Sequence, residues 1–148
     1  MADEAAVLEA FVGTWDAEVT IRPGPGAEPV NQKGVSTNRL IAGKWLVIDY
    51  RADGGFQGQG IYGWDPARDC YTGAWVDAAL VSIARSEGTW DSASRTLKLV
   101  TDTTHQGRPV RYREERQLLD DGRQLYRNLV PMPDGSELEL IRMVYRRR

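Results

Sequence analysis

The residues best suited to chemistry sit in a short stretch of alternating character. Between Cys70 and Ala78, the side chains of Tyr71, Gly73, Trp75 and Asp77 fall at every second position, so in a strand they share one face. If that face turns inward, an aromatic wall and a carboxylate look into one cavity, the combination a small-molecule site needs. Tyr62 joins them if 56–64 and 70–78 pair around a turn at 65–69, because facing residues on antiparallel neighbours lie about 5 Å apart. Arg113 and Glu114 point to opposite sides of a later strand, so only one of them can line an interior. Arg113 inside would anchor an anion, and its burial would demand a partner such as Asp77 across the lumen. The plainer alternative makes Trp75 core, Asp77 a strand-end turn residue and Arg113 a solvated partner of Glu115 or Arg142. Arg142, on the last strand, is a further cavity candidate. The expected ligand-contacting set is Tyr62, Trp75, Asp77, Arg113 and Arg142.

Other reactive residue types form weaker patterns. Cys70 is the only cysteine, which excludes a disulfide framework and a Cys-based zinc site. A hydrolytic triad needs Ser or Cys with His and an acid, and the only histidine, His105, falls at the turn Gln106-Gly107. The acidic pairs Glu114-Glu115 and Asp120-Asp121 are adjacent, so within a strand their side chains diverge and cannot work as a couple. No glycine-rich phosphate loop precedes a helix. The sequence therefore assigns no catalytic residue, no metal and no cofactor. An enzyme on the same scaffold would use Asp77, Tyr62 or Arg113 as acid–base or anion-stabilising groups.

The elements that must hold these residues follow from periodicity. Residues 3–12 read as a helix, with Asp3 as N-cap, Val7, Leu8 and Phe11 on one face, and Gly13 as the stop. From Trp15 the period becomes two. Trp15, Ala17, Val19 and Ile21 alternate with Asp16, Glu18, Thr20 and Arg22, and Pro23-Gly24-Pro25-Gly26 opens an exposed loop. Further strands are expected near 32–42, 44–53, 56–64, 70–78, 80–91, 95–105, 108–119, 123–130 and 136–147, separated by turn-formers such as Asp53-Gly54-Gly55 and Asp120-Asp121-Gly122. Ten strands on hairpin-length connections form an antiparallel meander. Twist and exposed edges then favour closure into a single up-and-down barrel over 1–148. Three Trp-Asp pairs, at 15–16, 64–65 and 90–91, are too irregularly spaced for propeller blades and read as turn chemistry. Inner glycines at 58, 60 and 73 beside large rings suggest room for a ligand.

Composition excludes several partners. The chain has 148 residues and a net charge of −2, with 16.6 kDa of ordinary globular make-up. Residues 1–107 carry 9 basic and 14 acidic side chains, and 108–148 carry 10 and 7. Glu114, Glu115, Asp120 and Asp121 interrupt the arginines of the second part, so no nucleic-acid surface is expected. The acidic start and the lack of a long apolar stretch point to a cytoplasmic protein without membrane attachment. Trp45-Leu46-Val47-Ile48 is apolar on both faces, which leaves one face for the helix or for a homodimer.

Gly13-Thr14-Trp15 at the start and Tyr145-Arg146 at the end resemble the lipocalin-like, or calycin, barrels. A second resemblance is wider. Gly43-Lys44-Trp45-Leu46, Gly58 through Asp65, Ala74-Trp75-Val76-Asp77, Ser86 through Asp91, Arg113-Glu114 and Asp134 through Arg146 are similar to an uncharacterised, mostly bacterial family, the domain of unknown function 1579. Trp64 stands where that family's pattern has Tyr, and Arg142 where an acidic residue is common. The resemblance implies an all-β, ten-stranded barrel with one short helix, closed at one end by Gly13, Trp15 and a cation, Arg146, packed over the Trp15 ring. It implies no catalytic residue. Related ten-stranded barrels include haem proteins with one proximal histidine, but the turn position of His105 argues against haem. The expected function is binding of a small, partly hydrophobic organic molecule in the barrel. The rivals are an enzyme in that cavity and an interaction module with a filled barrel.

Overall fold

A computed structural model of the chain describes residues 3–148; Met1 and Ala2, counted in the expected 1–148 domain, lie outside the described residues. Helix α1 (Glu4–Glu9) is followed by β1 (Gly13–Ile21), β2 (Val30–Ile41), β3 (Trp45–Ala52), β4 (Gln57–Asp65) and β5 (Cys70–Asp77). The chain continues through β6 (Ala84–Asp91), β7 (Thr96–His105), β8 (Arg108–Leu118), β9 (Gln124–Pro131) and β10 (Glu137–Arg147). Each strand pairs antiparallel with its chain neighbours, and β1 closes on β10 from Trp15 opposite Arg147 to Ile21 opposite Ile141. Closure satisfies both potential edge strands. The barrel fits a lipocalin-like fold.

The turns carry the expected chemistry. Ala42-Gly43 and Gln106-Gly107 each have two consecutive positive φ values; Gln106-Gly107 is a two-residue hairpin turn between the paired His105 and Arg108, while Ala42-Gly43-Lys44 joins the paired Ile41 and Trp45. Asp65 accepts the Ala67 and Arg68 amides, and Asp91 those of Ala93 and Ser94, so two of the three Trp-Asp pairs do place an aspartate in a turn. Asp16 differs: it lies within β1 and pairs with Arg148.

Helix α1 is only six residues long and gains its stability from packing rather than propensity. Asp3 caps it by accepting the Ala5 and Ala6 amides. Val7, Leu8 and Phe11 enter the barrel end among Leu46, Tyr71, Leu97 and Leu118. The C-terminal carbonyls of the helical turn, which have no helical partner, are met by side chains of the barrel. Phe11 O accepts Trp15 Nε1 at 3.1 Å and Asn38 Nδ2 at 2.9 Å, and Ala10 O accepts Arg147 Nη2 at 3.2 Å. Arg147 also donates to Val12 O.

One expectation is corrected here. The cation over Trp15 is Arg147, 4.2 Å from the ring centroid, whereas Arg146 is exposed on the outer face opposite Asp16. Strand parity explains the change. Tyr145 is buried inside, so Arg146 must point out and Arg147 returns to the end of the lumen. Gly13, at φ +136°, brings its backbone so close to Arg147 that an added Cβ would lie 2.5 Å from Nη1. Arg147→Ala is accordingly expected to lower Tm by several degrees, since it frees two carbonyls and a cation–π contact, while Arg146→Ala shifts it by no more than about a degree. Equal melting shifts in the two variants would contradict this assignment.

The inner glycines do not leave ligand space. The Trp75 ring lies against Gly58 and Gly60, and the Tyr62 ring against Gly60 and Gly73. A Cβ on Gly60 would stand 2.8 Å from Trp75 Cε3 and from Tyr62 Cε2. Gly60→Ala should therefore cost about 1–3 kcal/mol by overpacking. Gly24→Ala, with nothing within 4 Å of the new methyl, should be close to neutral. Urea unfolding of the pair measures the difference.

Candidate functional site inside the barrel

Alternation along β8 puts Tyr112, Glu114, Arg116 and Leu118 on the inner face and Arg111, Arg113, Glu115 and Gln117 on the outer one. The interior position thus falls to Glu114, and Arg113 is corrected to the outer surface. There it forms a two-pronged ion pair with Glu137, at 2.8 and 2.7 Å. The same outer face continues as a ladder. Arg113 and Arg127 share Glu115 at 3.6 and 3.1 Å, and Arg127 and Arg142 share Glu139 at 2.7 and 3.1 Å. Arg142 is therefore also outside, against the sequence expectation. This ladder takes up three of the ten arginines of residues 108–148. The Arg113 guanidinium holds the Glu137 carboxyl below its usual range, and Arg127 and Arg142 outweigh burial to do the same for Glu139.

Tyr62, Trp75 and Asp77 do face inward, and the pairing of Gly60 with Trp75 and of Tyr62 with Gly73 brings the two rings together. Asp77 sits at the rim away from α1. Its Oδ2 accepts Trp75 Nε1 at 2.8 Å, and its Oδ1 accepts the amides of Ala79 and Leu80 at 2.9 and 3.0 Å. Asp77 thus fixes the Trp75 rotamer and the following turn, and it does not meet Arg113. The acid–base trio of Asp77, Tyr62 and Arg113 does not converge. His105 is exposed at the end of β7.

The polar centre of the lumen is built from other residues. Glu114 accepts hydrogen bonds from Thr101 and from the Tyr126 hydroxyl, and Ser86 Oγ lies 2.7 Å from Thr101 Oγ1. Arg116, 7% exposed, has the Tyr126 ring 4.7 Å and the Tyr62 ring 5.9 Å from its guanidinium carbon. Its Nη1 donates to Gln124 Oε1 at 3.4 Å. Three buried polar atoms on the inner faces of β8 and β9 have no hydrogen-bond partner: Arg116 Nε, Gln124 Nε2 and, opposite Glu114, Asn128 Oδ1. Burial works against the Arg116 charge, the oxygens of Tyr62, Tyr145 and Tyr126 and the more distant Glu114 carboxylate favour it, and its pKa lies above the ordinary arginine value, so it is a permanent cation. Burial first, and Glu114 second, push the Tyr62 and Tyr126 hydroxyls above the ordinary range. Both are neutral donors at neutral pH.

The sequence carried a signal for this cluster. Val110, Tyr112 and Leu118 form the more apolar face of their strand, and Glu114 and Arg116 are on it.

Outside the barrel, Ile41, Trp45 and Ile61 line a groove of about 590 Å³ with Arg68, Arg85, Glu87 and Asp102 around it. The Trp45 ring covers Gly63. Among the described residues no group of three or more His, Cys, Asp or Glu is placed to hold a metal ion, and no helix is long and apolar enough to cross a membrane.

Comparison with known proteins agrees with this architecture. One similar solved structure is that of Rv2717c from M. tuberculosis, at 12% identity and a TM-score of 0.68, covering 100% of this chain and 99% of that one. At that identity the likeness shows the fold alone. No curated protein matches the chain. Residues 2–147 match the family described as protein of unknown function, DUF1579. The chain belongs to that DUF1579 family.

Proposed function

We propose that the barrel binds a small, partly hydrophobic organic molecule in its lumen. The observation that supports this reading is the trio of unpartnered buried atoms on Arg116, Gln124 and Asn128. Buried polar groups are nearly always hydrogen-bonded, and each orphan costs roughly 1–3 kcal/mol unless water or a ligand meets it. Three orphans spread along the inner faces of β8 and β9, with the Tyr126 ring between Gln124 and Asn128 on that face, suit a molecule with polar groups and an apolar body. Binding without chemistry fits best, because the interior acid, Glu114, has both oxygens engaged by neighbouring hydroxyls. Native mass spectrometry of gently purified protein tests the reading. A co-purified small mass that Arg116→Met releases supports it. A bare protein mass, with no thermal stabilisation from any small amphiphile, overturns it.

A second reading concerns the outer groove. Ile41, Trp45, Ile61 and Val76 are each 37–47% exposed on one face of the barrel wall, and charges of both signs surround the groove, a pattern that can complement itself about a two-fold axis. Under this reading, two copies associate through the outer face of β2–β5. Trp45→Glu should then convert a dimer to a monomer in light scattering. A wild-type protein that is already monomeric at high micromolar concentration rejects it.

A further inference from the structure

We infer that the molecule held in the lumen carries a carboxylate, recognised by Arg116 and Gln124; this rests on the lumen-binding reading above and specifies its chemistry. Arg116 is 7% exposed, yet among the described residues it lies in none of the ion pairs formed within 4 Å. A buried cation without a close counter-charge is expensive unless something supplies one. Glu114 is the interior carboxylate on the same strand face, and its oxygens are claimed by Thr101 and Tyr126 instead. What remains free beside the Arg116–Gln124 contact is a pair of N–H donors, Arg116 Nε and Gln124 Nε2.

Two free donors on side chains that touch each other, one of them cationic, match the two oxygens of one carboxylate. A phosphate dianion fits less well, because Glu114 is close enough to act on the same tyrosines and would repel a second negative charge. An amine is excluded by the fixed Arg116 charge. The third free atom, on the 7%-exposed Asn128, belongs to an amide whose oxygen and nitrogen can exchange places, so it can either accept from or donate to a substituent next to the carboxylate. The Tyr126 and Trp75 rings and Met143 and Val19 supply the apolar wall for the rest of the molecule.

Matched pairs of probes test this: hexanoate against hexanol, decanoate against decanol, and benzoate against benzyl alcohol. Each is titrated into the full chain at pH 7.5 and read by tryptophan fluorescence and thermal shift. At least one acid is expected to bind tenfold or more tightly than its alcohol. Arg116→Met should abolish that preference, and Arg113→Met, on the outer face, should preserve it. If Arg116→Met does not fold by circular dichroism, Gln124→Met replaces it and should weaken the acid several-fold while leaving the alcohol unchanged. Acids and alcohols binding alike, or a preference that survives the lumen substitutions, overturns the carboxylate inference and leaves lumen binding standing. Failure of every acid and alcohol to bind overturns the carboxylate inference, and a bare native mass then removes the broader reading as well.

Discussion

Replacing Trp15 with alanine is expected to lower the unfolding free energy by roughly 3–5 kcal/mol, in the range of large aromatic deletions from a packed core. The Trp15 side chain is fully buried, and three separate interactions end on it or beside it. The indole fills the lumen where β1 meets α1, its Nε1 satisfies Phe11 O, and Arg147 lies over its face. Alanine leaves a cavity, returns one carbonyl to Asn38 alone, and strips the apolar support from a guanidinium that ties down Ala10 O and Val12 O. For a chain of this length about 2–4 °C accompanies each kcal/mol, so the melting temperature should fall by about 6–20 °C. Trp15→Phe keeps most of the packing and should lose much less. A Trp15→Ala protein that melts within a degree or two of the parent would show that the helix–barrel junction contributes little.

The second large effect is alkaline instability. All six tyrosines have raised pKa values. Burial is the main cause in every case. Tyr50 and Tyr71 are pushed up to about 12, with Tyr145 and Asp53 adding to the first and Glu4 and Asp3 to the second. A tyrosine whose folded pKa exceeds its unfolded value of ~10 contributes its full stabilisation below that unfolded pKa. Above it the unfolded chain releases protons that the folded one retains, so stability falls as pH rises toward the folded pKa. The slope is about 1.4 kcal/mol per pH unit for each tyrosine still protonated in the barrel. The barrel should therefore keep its stability up to about pH 10 and then unfold over a narrow interval. Absorbance at 295 nm should show almost no tyrosinate until ellipticity is lost, followed by a joint rise. Gradual ionisation at pH 10 with ellipticity intact would contradict the burial of these hydroxyls.

The fold was legible because its signals are local. Gly13 after an apolar helix face, alternation in 15–21 and turn residues at each strand break specify ten hairpin-linked strands, and the observed strand limits fall within a few residues of those expected. The mutual placement of Tyr62 and Trp75 was also legible, since one short turn sets the register of β4 and β5. Arg113, Arg142 and Arg146 show what a period of two leaves open. It sorts residues into two sets, but which set faces inward depends on closure, and a shift of one residue moves a side chain from lumen to solvent. In β10 the alternation itself breaks. A bulge between Glu139 and Ile141 lets Leu138 pair with Val130 and Ile141 with Asn128, so neither set of the last strand is apolar throughout.

The sequence by itself therefore determined the strands, their order around the barrel and the helix at one end, because propensity, periodicity and turn geometry act between near neighbours. Only the tertiary structure decided which charges are buried. Glu114, Arg116, Gln124 and Tyr126 come from β8 and β9, Thr101 and Ser86 from β7 and β6, and Tyr62 from the opposite wall on β4. The hydrogen bonds among β6–β9 join adjacent strands, but their burial and the contact of Arg116 with Tyr62 exist because closure of β1 on β10 turns one face of every strand toward a common axis. A polar residue costs little on an open sheet and needs a partner inside a closed one. The unpartnered atoms of Arg116, Gln124 and Asn128 are a property of the barrel, which no single strand carries.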